Sequence, residues 1–201
     1  MGRVTTADLW HHYGRVRAER DHAVPDSFRW SWSQVDGPGA EVLGDLAGKT
    51  VADLGAGAAR HAAHLTVHHV PARIDAVDAS PAQYAMATAL YGPLAPRLCL
   101  VHRDVVAHLH AHPGAYDVLY SVFGALDFTD PRTLLAADVP ARTPDGESAT
   151  LRRWVLQEYV WTKVLDEAGF AGIRVEELPA GEGSRAATAL LITAERSDAP
   201  V

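Results

Sequence analysis

Four short apolar runs punctuate the first 123 residues: "TVADLG" from Thr50, "ARIDAVDAS" from Ala72, "RLCLVHRD" from Arg97 and "YDVLYSVF" from Tyr116. Runs of this length, rich in Val, Ile and Leu and bounded by turn residues, read as strands buried on both faces. The second ends at Ser80-Pro81-Ala82-Gln83, where Ser80 is placed to cap a helix, Pro81 suits its first turn and Gln83 completes a capping box. That helix stops at Tyr91-Gly92-Pro93. A short helix is expected from Glu41 to Gly48, and another, "PRTLLAA", from Pro131.

Further on, "LQEYVWTKVLDEAGF" has the spacing of an amphipathic helix ending at Gly169, and "GIRVEEL" and "ATALLITAE" follow as strands joined by the turn-rich "PAGEGSR". Strands alternating with helices predict an α/β fold, a three-layer sandwich with a mostly parallel sheet. The last link is too short for a crossover helix, so the C-terminal strand should run antiparallel. At the other end, Thr5 stands three residues before Asp8 in a capping pattern that opens "TTADLWHHYGRVRAERDH", and the aromatic-rich "VPDSFRWSWSQVDGPG" follows as an irregular connection. Residues 1–40 are therefore read as an N-terminal helical lid and substrate segment, and 41–201 as the main domain.

Composition narrows the class. The chain has 201 residues, enough for one well-buried domain, with 48% hydrophobic and 21% charged residues. A formal charge of -7 disfavours general affinity for nucleic acid or anionic membrane. The lone Cys99 fits a reducing compartment. No signal-peptide core and no run of membrane-spanning length is found, so a cytoplasmic protein is expected, a monomer or homodimer with a small-molecule partner.

The turn "DLGAGAARH" after the first strand carries the sharpest chemistry. Two alternating glycines, Gly55 and Gly57, let a ligand approach the backbone closely at the start of a helix. A nicotinamide fingerprint needs a third glycine where this chain has Arg60. Asp53, two residues before Gly55, suits a cationic ligand group better than a pyrophosphate. Asp78 ends the second strand, where its carboxylate can accept bonds from a diol.

Together these segments resemble the class I S-adenosylmethionine-dependent methyltransferases, and the resemblance extends over most of the chain. "VADLGAGAARH", "DAVDASPAQ", "HRDVV" and "YDVLYSVFGALDFTDP" are similar, in order, to that family's four motifs. Ala59 stands where the family usually has another glycine. The resemblance implies a Rossmann-like fold and S-adenosylmethionine as cofactor. By it, Asp53, Gly55, Ala56, Gly57 and Arg60 would form the cofactor turn, and Asp78 with Ala79 would serve the ribose. Asp104 with Val105 would meet the adenine, while Tyr120 and, from the lid, Tyr13 would face the methionine end. It is closest to stand-alone, actinobacterial-looking enzymes whose acceptors are often secondary metabolites.

The family normally has a helix, a glycine turn and a central strand after the fourth strand. Here "PRTLLAA" runs straight into "DVPARTPDGESATLRRW", so a missing segment is expected near 135–144, unless "ATLRRWVL" supplies the strand. For catalysis, methyl transfer needs mainly positioning, and a hydroxyl acceptor gains from a base. His12 and Asp127 are the candidates. No metal is expected: His61, His64 and His68 share a helix face but lack a further ligand, and are read as solvated. Alternative functions are a non-catalytic adenosyl-cofactor-binding protein and, less well matched, a nicotinamide oxidoreductase.

Overall fold

The computed structural model describes residues 23–31, 34–123, 135–142, 148–155, 158–167, 169–179 and 189–196. Its centre is a sheet of four parallel strands, β1 (Thr50–Leu54), β2 (Arg73–Asp78), β3 (Leu98–His102) and β4 (Val118–Tyr120), in the order β3-β2-β1-β4. Three helices alternate with them: α1 (Arg60–His68), α2 (Pro81–Tyr91) and α3 (Val105–Ala111). The α/β architecture expected from the alternating runs is present. Strand β1 is central, and its residues Val51, Ala52, Asp53 and Leu54 are all buried, which is why its run shows no in–out alternation.

The core gathers between the sheet, α1 and the segment that precedes the sheet. Ala62, Ala63 and Leu65 of α1 meet Val51, Ile74, Leu98 and Tyr120 of the strands, and Phe28 enters from the N-terminal side. Two adjacent alanines let α1 sit close to the sheet, holding the turn before it in place. As expected, Ser80 caps α2, its hydroxyl accepting from the Gln83 amide at 3.4 Å, with Pro81 in the first turn.

Elsewhere the local expectations are corrected. The helix foreseen from Glu41 to Gly48 is a single 3₁₀ turn, Ala40–Leu43, because Gly44 and Gly48 both take positive φ and end helical progress. "PRTLLAA" does not continue as a helix: Leu135 opens β5 (Leu135–Arg142), which pairs antiparallel with β6 (Ser148–Val155), Leu135 opposite Val155 and Arg142 opposite Ser148. "ATLRRWVL" is thus largely strand, but paired with β5 in a sheet of two and not with β4. After α4 (Glu158–Glu167), β7 (Phe170–Leu178) and β8 (Ala189–Arg196) form the expected antiparallel pair, again as a sheet of its own. Among the described residues, β4 pairs with β1 alone and is the edge of the parallel sheet.

Candidate functional site

The turn between β1 and α1 is built from backbone that returns to the end of β2. The amides of Gly55 and Ala56 both donate to the Val77 carbonyl, at 2.9 and 3.0 Å. The Gly57 amide donates to Asp78 Oδ2 at 2.8 Å, and the Ser80 amide donates to Asp78 Oδ1 at 2.8 Å. Gly57 holds φ +54°, and a Cβ built there would meet nothing nearer than Gln83 Oε1 at 3.8 Å. Among the described residues, no side chain therefore fills the space immediately beside Gly57, which leaves the backbone there open to close approach. Ala59 takes the left-handed conformation, φ 59°, at the entry to α1 and is 1% exposed, so an L-residue occupies a position that favours glycine.

Asp78 does more than close a turn. A carboxylate offers about four lone-pair positions, and two amides use one on each oxygen, leaving acceptor capacity on both. The ends of β2 and β3 are tied together beside it, since the Arg103 amide donates to the Asp78 carbonyl at 3.0 Å and His102 Nε2–H donates to the Ala79 carbonyl at 3.1 Å. Tyr84 of α2 stacks on the His102 ring with centroids 5.5 Å apart. Asp104 caps α3, its Oδ1 accepting from the Ala107 amide at 2.9 Å, with Val105 as the first helical residue.

Beneath the turn lies a pair whose geometry sequence reasoning did not foresee. Asp53 and Tyr120 stand opposite each other in the parallel register of β1 and β4, so their side chains leave the sheet on the same face. The Tyr120 hydroxyl donates to Asp53 Oδ2 at 2.9 Å. Both are buried, 2% and 4% exposed. Burial pushes the Asp53 carboxyl up to about 7; the bond from Tyr120 pulls the other way, and the Asp78 charge adds to the rise. Burial also holds the Tyr120 hydroxyl well above its ordinary range, with the Asp53 charge and hydrogen bond contributing. Tyr120, expected to face a ligand, is engaged with Asp53 and acts on the turn through it. Ser121, which the motif reading passed over, donates from its hydroxyl to the Leu54 carbonyl at 2.7 Å and fixes the end of β1.

Aromatic side chains of the N-terminal segment pack against Tyr120. Phe28 lies 5.0 Å from Trp30, 4.5 Å from His61 and 6.0 Å from Tyr120, ring centroid to ring centroid. Trp30 meets Tyr120 edge-on at 6.2 Å and donates from Nε1 to the Gly39 carbonyl at 2.9 Å. Gln34 Nε2 donates to the Arg29 and Ser31 carbonyls, which leaves Gln34 Oε1 to accept from His61 Nε2–H at 2.7 Å. His64 is buried and donates from Nδ1 to the Pro25 carbonyl at 2.8 Å, and burial lowers its pKa. The expected solvated histidine face is thus corrected: His61 and His64 anchor the N-terminal segment, while His68 is exposed.

Of the residues singled out from the sequence, Asp53, Gly55, Ala56, Gly57, Arg60, Asp78, Ala79, Asp104, Val105 and Tyr120 all fall at or just beyond the carboxyl ends of the four parallel strands, where ligands bind in open α/β sheets. His12, Tyr13 and Asp127 lie outside the described residues. Three carboxylates, Asp53, Asp78 and Asp104, gather along this edge. They suit a ligand with hydroxyl donors and a cationic group and oppose a pyrophosphate.

Residues 51–143 match the methyltransferase domain family. Among solved structures, a protein assigned as an S-adenosylmethionine-dependent methyltransferase from Listeria monocytogenes is similar with TM-score 0.56 and 18% identity, over 79% of this chain and 95% of that one. The 1,6-didemethyltoxoflavin-N1-methyltransferase of Burkholderia thailandensis, solved with bound 1,6-didemethyltoxoflavin and S-adenosylhomocysteine, has TM-score 0.53 and 17% identity, over 76% of this chain and 72% of that one. The glycopeptide N-methyltransferase MtfA, solved with sinefungin, has TM-score 0.51 and 14% identity, over 97% and 90% of the two chains. At these identities the likeness is one of fold. No match was found among curated protein sequences.

Proposed function

We infer that this chain, whose residues 51–143 match the methyltransferase domain family, is a class I S-adenosylmethionine-dependent methyltransferase that transfers a methyl group to a small-molecule acceptor, of the secondary-metabolite kind. The cofactor, when bound, supplies a methyl group on a cationic sulfur. Everything else falls to the chain's own residues. Asp78 accepts from the ribose hydroxyls with the lone pairs its two amide bonds leave over. Gly55, Ala56 and Gly57 give the backbone close approach, and Arg60 begins the helix behind them. Asp104 and the Val105 amide are the groups for the adenine edge, beside Ala79. Tyr13 is the lid residue for the methionine end, and His12 or Asp127 the base for a hydroxyl acceptor.

The observation that carries this reading is the joint hold of Asp78 on Gly57 and Ser80, which presents a carboxylate beside an open glycine turn. The small-molecule acceptor draws support from the aromatic cover formed by Phe28 and Trp30, from the net charge of -7 and from the toxoflavin-precursor enzyme among the structural neighbours. Among the described residues no helix is long and apolar enough to cross a membrane.

The test is transfer of label from methyl-tritiated S-adenosylmethionine to three pools: aromatic and heterocyclic metabolites, peptides, and RNA. Label in the metabolite pool is the expected result. Label in RNA or peptide alone contradicts the acceptor class, and saturable cofactor binding with no transfer to any pool favours a non-catalytic binding protein.

A further inference from the structure

The Asp53 carboxyl is buried beneath the turn with no cationic partner among the described residues. It sits on the central strand, 2% exposed, and Tyr120 is its hydrogen-bond donor. Among the described residues, the titratable groups that face it are Tyr120, from β4, and Asp78, from the end of β2. A buried carboxylate with one donor and a second carboxylate nearby is costly, and keeping the proton removes that cost.

We propose that Asp53, braced by Tyr120, takes up a proton near neutral pH in the ligand-free protein and surrenders it to solvent when the ammonium group of the cofactor's amino-acid end binds at the turn, so that cofactor binding releases a proton. The inference rests on the methyltransferase reading and deepens it. The O–H bond of the Asp53 carboxyl breaks, its proton passes to the buffer, and the carboxylate left behind faces the ligand's ammonium group. Tyr120 keeps its own proton throughout and donates it to the carboxylate, which makes it a positioning residue acting through Asp53. The ordinary position of a carboxyl near 3.8 and the value of about 7 that burial gives Asp53 set the range over which the effect is seen.

Aspartate labelled with ¹³C at the side-chain carboxyl reports the proton directly, with the Asp53 signal assigned by its loss in Asp53→Asn. Titration of the free protein should place the Asp53 midpoint near neutrality, and S-adenosylhomocysteine should lower it by about two pH units or more. Calorimetry in buffers of different ionisation enthalpy should give about half a proton released per S-adenosylhomocysteine at pH 7, given a midpoint of about 7. Methylthioadenosine, which lacks the amino-acid end, should bind without release, and Asp53→Asn should release none. Tyr120→Phe, which removes the donor to the ionised form, should move the Asp53 midpoint further up and carry the pH profile of affinity with it.

An Asp53 midpoint at the ordinary carboxyl value in the free protein overturns the proposal. Binding of S-adenosylhomocysteine with no proton exchange overturns it while leaving the methyltransferase reading intact. Failure of S-adenosylhomocysteine to bind overturns both, whatever the midpoint.

Discussion

The Gly57 amide donates to Asp78 Oδ2 at 2.8 Å, joining the turn after β1 to the end of β2 across 21 positions of sequence. The bond fixes the turn and orients the carboxylate at once, so the glycine and the acid work as one unit. Substituting Gly57 separates the turn's two duties. In Gly57→Ala the new methyl meets no atom of the described residues nearer than Gln83 Oε1 at 3.8 Å, so the cost to folding comes from the φ of +54°, about 1–2 kcal/mol. A melting point lower by a few degrees and S-adenosylhomocysteine binding weakened more than about tenfold are expected, measured by thermal denaturation and calorimetry. Binding retained at full strength would remove the glycine turn from the cofactor site.

A second prediction concerns acid. The Tyr116 hydroxyl donates to Asp75 Oδ2 at 2.7 Å, so His108 Nε2–H donates to the Tyr116 oxygen at 2.6 Å, and His108 Nδ1 is left buried without a partner. Burial lowers the His108 pKa from its ordinary 6.5, with His112 stacked at 4.3 Å and Arg103 and Arg73 nearby adding to the drop and Asp75 opposing it. Below pH 6.5 the unfolded chain then binds a proton that the folded one does not, so stability is lost as pH falls from that point toward the folded value. His108→Gln keeps a donor for Tyr116 and cannot titrate. Its stability relative to the parent should rise between pH 7 and pH 5.5, by at most about 1.4 kcal/mol per pH unit. Parallel urea titrations check this; a constant difference across the range contradicts it.

The N-terminal segment should be structural as well as a cover. Phe28 is 2% exposed and touches rings of α1 and β4. Phe28→Ala should cost about 3–5 kcal/mol by urea unfolding, whereas Phe28→Leu should stay under about 1.5 kcal/mol. Equal, small effects for both would mean that the segment only rests on the core.

Much of the site was legible because its signals are local. Parallel strands buried on both faces are unbroken apolar runs, and Gly55, Gly57, Ser80 and Pro81 mark turn and helix entry by conformational need. What failed was information carried by pairing. Leu135, Ala136 and Ala137 favour a helix locally, yet they lie in β5 opposite Val155, Trp154 and Arg153, a register that no local pattern states. The Asp53–Tyr120 bond spans 67 positions and depends on β4 lying beside β1 with those residues opposed. His61 and His64 repeat at the spacing of one helix face, but the spacing does not say that Gln34 and Pro25 will bond to them.

The central claim is that the carboxylate at the end of β2 holds an adenosyl cofactor beside the glycine turn. Calorimetric titration of the protein and of Asp78→Ala with S-adenosylmethionine, S-adenosylhomocysteine and NADH tests it most directly. Saturable binding of both adenosyl ligands, weakened about 10–100-fold in Asp78→Ala as expected for losing hydrogen bonds to a charged acceptor, with no binding of NADH, is the predicted result. Binding of NADH alone, or adenosyl binding untouched by loss of Asp78, would contradict it.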